Sequence, residues 1–352
     1  MDFLFGKDAK NTLAEQFRGR ENNLDLIRFI AAAMVIYFHA HPLVRPDGKA
    51  DFLYQFSNGQ IHIGNLAVCV FFLFSGFLIA KSAERTVSGP AFFKARILRL
   101  IPPLAVVTIL CAFVLGPIMT ELPLKEYFTD PKTYAYLGNS ILIPVHELPG
   151  VFLRNPYNAT VNGALWTLPI EAICYVVCYL FCRTGFLNAR RMRWTIPLFV
   201  ILYIGGSWVF RNNDLIASVL HPCGMFYMGM LAYVYRDRIR LSAPMALLAL
   251  AVFLISLRRG MLEIFLLICV PYLLLMLAFG TPKKATGFGK YGDFSYGMYL
   301  TGWPLAQVLV QYVGNRLSVG VQALIVIILS TVCGALLHWW VERPILLNKR
   351  GE

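Results

Sequence analysis

The chain has 352 residues, of which 58% are hydrophobic and 14% charged, and its mean hydropathy is +0.61. That balance excludes a soluble domain of this size and defines an all-α, polytopic membrane protein. The formal net charge of +13 reads as an orientation signal in such a chain, so nucleic acid is not an expected partner.

Residues 1–22 are polar and lack the basic tip and apolar run of a cleavable signal peptide. They are expected to form a short amphipathic or disordered cytoplasmic tail. Apolar stretches long enough to span then follow at about 25–43, 63–80, 101–119, 165–182, 195–210, 216–235, 243–258, 261–279, 294–313 and 318–340, with several short or tilted. Placing the N-terminus inside puts 22 of the 32 basic residues on inside segments and 9 outside, with Arg28 counted in the first span. This bias supports an even number of spans and both termini in the cytoplasm. The longest loop, 120–164, is then external, and its half-length apolar stretch "YLGNSILIPV" suits an interfacial or re-entrant position.

All eight cysteines fall in or at the ends of apolar spans, which argues against a disulfide framework. No internal repeat, low-complexity tract or soluble domain is evident. The "NAT" at 158–160 is a formal glycosylation sequon, without meaning in a bacterial source.

The first span, "NLDLIRFIAAAMVIYFHAHPLV", carries two residues that lipid should reject. Arg28 and His39 are eleven residues apart, about 20° past three full turns, so they share one helix face about 16 Å apart along the axis. Snorkelling with Asp25 as ion-pair partner would also account for Arg28, and a neutral interhelical histidine for His39. Glu171 lies a turn or two below the outer end of its span, the depth inferred for His39. An imidazole would offset the cost of a carboxylate there, and such a pair makes the histidine a stronger general base; a purely structural contact is the alternative. His41, two residues from His39, faces elsewhere. In "SGPAFFKARILRLIPPL", Arg96 and Arg99 share a face with Lys94 nearby, suited to holding phosphates at an inner mouth or to anchoring the topology. Glu171, Cys174, Cys178 and Cys182 share a stripe, which leaves open an acyl relay on Cys174 beside the default of packing.

In chain order, "LDLIRFIAAAMVIYFHAHPL", "VCVFFLFSGFLIAKS", "FFKARILRLIPP", "NGALWTLPIE", "SYGMYLTGWPL" and "VERP" resemble the acyltransferase-3 family of bacterial inner-membrane acyltransferases, and the likeness covers nearly the whole chain. The resemblance implies a transmembrane acyltransferase domain over 23–343, between the tails 1–22 and 344–352. It further implies an acyl-CoA donor, taken as acetyl-CoA, approached from the cytoplasm, and a sugar hydroxyl on a surface polysaccharide or lipid-linked precursor as acceptor. By the same likeness Arg28 and His39 match the family's basic-x10-His pair, Arg96 and Arg99 its basic motif, and Glu171 its Trp-Thr-Leu-x-x-Glu motif; Ser75 joins the donor-binding set with Lys94. Gly302 departs from the pattern, since many members carry histidine there. Many members also carry a fused esterase-like domain, for which this chain is too short.

The expected mechanism has Arg28, Arg96 and Arg99 hold the CoA nucleotide while the pantetheine arm reaches up the stripe to His39 and Glu171. Asn162, Trp166 and the 120–164 loop would floor the acceptor cleft, although Trp166 also suits an interfacial belt. No metal is expected; membrane lipids surround the chain. The rival classes are a proton-coupled secondary transporter and a non-catalytic subunit of a polysaccharide assembly machine.

Overall fold

A computed structural model describes residues 12–17, 22–46, 48, 50–86, 88–210, 213–281 and 288–348. Most of the expected tail 1–22, and residues 349–352 of the C-terminal tail, lie outside them. Among the described residues, long helices occupy all ten predicted apolar places: α1 Leu24–Val44, α2 Ile63–Arg85, α3 Gly89–Leu110, α4 Thr167–Arg183, α5 Thr195–Val209, α6 Asp214–Val234, α7 Ala243–Arg259, α8 Leu262–Leu275, α9 Ser295–Val313 and α10 Val319–Leu337. The only extended pairing among them is isolated bridges, as when Thr120 meets Val151.

Among the described residues, six helical segments are long and apolar enough to cross a membrane: Leu24–Val44, Ile63–Arg85, Gly89–Met119, Gly163–Arg183, Leu262–Gly280 and Val319–Ile345. Three of the others fall short for physical reasons: α5 has 15 residues and α7 has 17, and α9 is diluted by Thr301, Gln307 and Gln311. The chain is therefore a multi-pass helical membrane protein, with six clear spans among the described residues. Its outer faces agree, since Ile201 is 68% exposed and Leu247 67% exposed, a cost in water and none in lipid. The stretch 136–145 forms a turn, Tyr136–Ile141, that buries Tyr136 and exposes Ile141.

The helices form two compact units, each assembled from separate stretches of chain: residues 1–28, 52–89 and 170–291 in the first, and 29–51, 90–169 and 292–352 in the second. In lipid, apolar side chains gain little by meeting one another, so helices associate where small residues let backbones approach. The first unit is built around such an approach between α2 and α6. A methyl group added at Gly76 would stand 2.0 Å from the Phe226 carbonyl oxygen, and one at Gly229 would stand 2.1 Å from that of Leu73. At the cytoplasm-facing ends proposed from the charge pattern, the Tyr233 hydroxyl donates to Glu84, and the Arg236 guanidinium lies over the Tyr233 ring at 4.2 Å. In the second unit α9 and α10 meet in the same manner, Gly297 against the Gly334 backbone.

Gly229→Val should force α2 and α6 apart and destabilise the protein by roughly 1–3 kcal/mol. Gly205, with nothing within 4 Å of its added methyl, is the control, and Gly205→Val should leave stability unchanged. Thermal melting of detergent-solubilised protein, followed by dye labelling of buried thiols such as Cys69 and Cys178, measures the difference.

Candidate active site

His39 sits in the second unit on α1, three residues before Pro42, whose missing N–H loosens the end of the helix. The imidazole is half-buried and packs edge-on against Trp303 of α9, with ring centroids 4.7 Å apart. Within its unit, neither ring nitrogen has a hydrogen-bond partner among the described residues. His41 points elsewhere, edge-on to Tyr37 at 5.0 Å.

Trp303 belongs to a row on α9. Leu300, Trp303 and Gln307 recur at three and four residues, so they share a helix face. That face holds the incoming loop through hydrogen bonds. Asn162 donates to the Leu300 carbonyl at 2.9 Å, the Trp303 indole N–H donates to the Thr160 carbonyl at 3.2 Å, and the Gln307 amide donates to the Tyr157 and Thr160 carbonyls at 2.8 and 2.7 Å. Asn155 donates to Gln307 Oε1 at 2.8 Å. Lower on the same helix the Tyr299 hydroxyl donates to the Ala164 carbonyl at 2.6 Å and lies 2.6 Å from the Thr167 hydroxyl. Buried polar groups must be satisfied internally at this depth, and here they are satisfied by fixing the 155–167 segment on α9.

Asn162 is completely buried, and its carbonyl oxygen also accepts from Ala164 N–H, starting the turn Gly163–Trp166. Both ends of its amide are committed to the frame rather than to an open cleft. Trp166 is half-buried at the end of that turn.

Glu171 lies in the first unit. Its Oε1 accepts from the Ser75 hydroxyl at 2.8 Å and from the Tyr175 hydroxyl at 2.5 Å, so one α2 residue and the residue one turn along α4 hold the carboxylate. Ser75, expected among the donor-binding residues, thus gives its hydrogen to Glu171. His39 and Glu171 belong to different units, so their pairing is part of the functional proposal below.

Arg28 is half-buried near the start of α1. Lys94, Arg96 and Arg99 all lie on α3, in the second unit except for its first residue. Lys94 is exposed, the Arg96 guanidinium lies 5.7 Å from the Phe92 ring, and Arg99 approaches Asp293 at 3.8 Å. The Arg99 side chain is 44% exposed beside that acid. The buried Cys174 thiol stands 3.9 Å from that of the half-buried Cys223. Gly302 packs where an added methyl would reach Ile36 Cγ1 at 2.7 Å, so this packing leaves no room for a larger side chain.

Sequence reasoning missed several of these residues. Tyr175 was legible as the i+4 neighbour of Glu171. Trp303 and Gln307 carry no motif that separates them from ordinary helix residues. His221 was also passed over: in the first unit it lies 2.9 Å from Glu263, whose other oxygen accepts from Ser207 at 2.9 Å.

The chain matches the model of the acyltransferase domain family over residues 21–340, and it belongs to that family, acyltransferase-3. It is 28% identical over 327 residues to an O-acetyl transferase of Shigella phage Sf6, covering 88% of this chain and 93% of the relative. It is also 28% identical over 244 residues to Nodulation protein 10 of Rhizobium leguminosarum bv. viciae, covering 64% of this chain and 63% of that protein. No solved structure matches. The family and the apolar helices together make the chain a membrane acyltransferase.

Because Trp303 holds both the loop and the face of His39, Trp303→Leu should cut acyl transfer by about 10–100-fold with normal folded yield, since displacements near 1 Å cost rates of that order. Trp303→Phe keeps the ring edge but loses the bond to Thr160 and should fall between. Transfer rates at matched amounts of folded protein check the order.

Proposed function

We propose that the protein moves an acyl group, acetyl in the simplest case, from cytoplasmic acyl-CoA to a hydroxyl of a surface polysaccharide or lipid-linked sugar at the outer face of the bacterial inner membrane. Acetyl is favoured by the relative named an O-acetyl transferase. The observation that carries the reading is His39, a half-buried imidazole in the membrane whose ring nitrogens are unclaimed within its unit. A polar group left unengaged there is costly and is retained where it works on a substrate.

In this reading His39 takes the proton of the acceptor hydroxyl as that oxygen bonds to the thioester carbonyl carbon. It returns the proton to sulfur as the C–S bond breaks, so the products are the ester and free CoA. Glu171, held in place by Ser75 and Tyr175, is the carboxylate assigned to support the imidazolium. Arg28, Lys94, Arg96 and Arg99 are assigned to the CoA phosphates, and fork-shaped guanidinium groups suit them. The span from Arg28 to His39 is about 16 Å of helix, a distance for the pantetheine arm to cover by reach.

A proton-coupled transporter is the second reading, and the His221–Glu263 pair is what favours it.

In reconstituted vesicles with labelled acyl-CoA and purified acceptor, His39→Ala should lose about 10²–10⁴-fold in transfer with folding and CoA binding retained. Glu171→Gln should lose less, because an amide still orients but does not stabilise positive charge. Normal transfer by the His39 variant would remove the histidine from the chemistry and advance the transporter.

Arg96→Ala combined with Arg99→Ala should weaken CoA binding. The wild-type affinity should fall with added salt more steeply than the variant's, since contacts to phosphates at a solvated mouth are screened. Titration of CoA at two ionic strengths measures this, and an unchanged affinity would reduce both arginines to orientation signals.

A further inference from the structure

The second unit contains a cleft of about 620 Å³ that none of the assigned residues lines, within the range of about 300–1,000 Å³ usual for small-ligand sites. It lies between the end of α1, the 152–156 loop and the end of α9. Val44 of its lining is five residues past His39, about 7.5 Å further along α1, and Gln311 is eight past Trp303, about 12 Å further along α9. The cleft therefore opens beyond His39, at the helix ends that the charge pattern assigns to the outer face.

We infer that this cleft is a second binding site, which holds a neutral polyhydroxylated stretch of the acceptor glycan while a hydroxyl further along the same chain reaches His39. The inference rests on the O-acyltransferase reading above and adds the acceptor's class and its seat.

Four observations carry it. The lining has one acid and one base, Glu121 and Arg154, and they neutralise each other in a two-pronged contact, Nε to Oε1 at 2.9 Å and Nη2 to Oε2 at 3.1 Å. The cleft therefore suits an uncharged ligand rather than a phosphate. Second, the amides of Gln311 and Asn315 are exposed and make no hydrogen bond to another described residue. Each offers a donor and an acceptor, the complement of a hydroxyl that both gives and takes.

Third, the cleft is joined to His39 by packed rings. Tyr157, next to the lining residue Pro156 and 40% exposed, meets Trp303 edge-on at 5.4 Å, and Trp303 meets His39 at 4.7 Å. The exposed face of Tyr157 suits the apolar face of a sugar ring, and the buried Trp303 ties that ring to the imidazole through packing. Fourth, the wall is built at a conformational cost: Phe152 is buried with φ of 56°, a left-handed backbone unusual for a bulky residue, and its carbonyl accepts from Asn155 and Ala159. Asn155, also in the lining, is pinned to Gln307, so the frame that positions Trp303 also shapes the cleft.

Binding energy spent on remote sugars would select a polymer over a free monosaccharide. The test uses full-length protein and, as probe, oligosaccharides cut from the producing cell's own surface polysaccharide and stripped of esters with mild base. Wild type should bind the probe. Gln311→Ala combined with Asn315→Ala should raise its Kd and the acceptor KM by about tenfold, the loss of two hydrogen bonds, with the acyl-CoA KM unchanged and little loss of rate at saturating acceptor. Asn315→Trp, which fills the cleft instead of stripping it, should weaken binding further. His39→Ala should bind the probe normally.

Equal binding by wild type and the cleft variants, or no binding by wild type at millimolar probe, overturns the cleft as an acceptor site. If His39→Ala still loses transfer in that case, the catalytic reading stands without it. Should His39→Ala transfer normally while the cleft variants lose binding, the catalytic reading fails and the glycan site stands.

Discussion

The second unit depends on what one indole does. Trp303 meets His39 and Tyr157 edge-on, at 4.7 and 5.4 Å, and donates its N–H to the Thr160 carbonyl. Without that hydrogen bond a polar N–H would be buried at the level where a helix enters a loop, and the loop would lose the point that sets its register on α9. The bonds on either side, from Asn162 to the Leu300 carbonyl and from Gln307 to the Tyr157 and Thr160 carbonyls, repeat the same solution at one-turn intervals. A membrane helix in this way fixes an irregular segment with the precision of regular structure.

The two units meet the constraints of lipid by different means. In the first, backbones close through glycine, Gly76 and Gly229 each admitting a carbonyl where a methyl group would collide. Glu171 depends on this approach indirectly, because Ser75 lies beside Gly76 on α2 and its hydroxyl reaches the carboxylate only when α2 is held in place. In the second unit the glycine contact, Gly297 with Gly334, serves α9 and α10, while the loop is held by side-chain amides and aromatic rings. Glycine packing holds the helix that brings Ser75 to the carboxylate, and the loop's hydrogen bonds hold the indole that packs on the histidine.

Much of this was legible in the sequence because lipid penalises so few residue types so heavily. Arg28, His39 and Glu171 stood out by cost alone, and all ten apolar stretches became helices. Six of these clearly span; the 15 residues of α5 and the 17 of α7 show where apolar composition outruns length. The partners of the costly residues were harder to see. Tyr175 was within reach, one turn beyond Glu171, but Ser75 is 96 positions away and was recognised by its motif rather than as a hydrogen-bond donor. Trp303 and Gln307 look like helix filler until the loop is seen crossing them. Asn162 looked like an acceptor-facing polar residue, yet its amide is wholly engaged, a distinction that depends on burial and leaves no mark on spacing. Two units interleaved along the chain leave none either, because their boundaries at 28, 51, 89, 169 and 291 follow no change in composition.

Engagement separates frame from working surface in the second unit. Asn155, Asn162 and Gln307 are buried, and each spends its amide on the protein. Gln311, one turn past Gln307 on the same helix, spends none of its own on a described residue and lines the cleft. The difference follows from position: at Gln307 the loop supplies carbonyls, and Gln311, one turn on, lines the cleft with residues 152–156. A helix that begins with the buried Gly297, passes the engaged indole of Trp303 and amide of Gln307, and reaches the exposed Gln311 carries its polarity outward in steps, so one surface serves in turn for packing, for anchoring and for lining the cleft. His39 meets α9 at the middle of those steps, its ring held against Trp303.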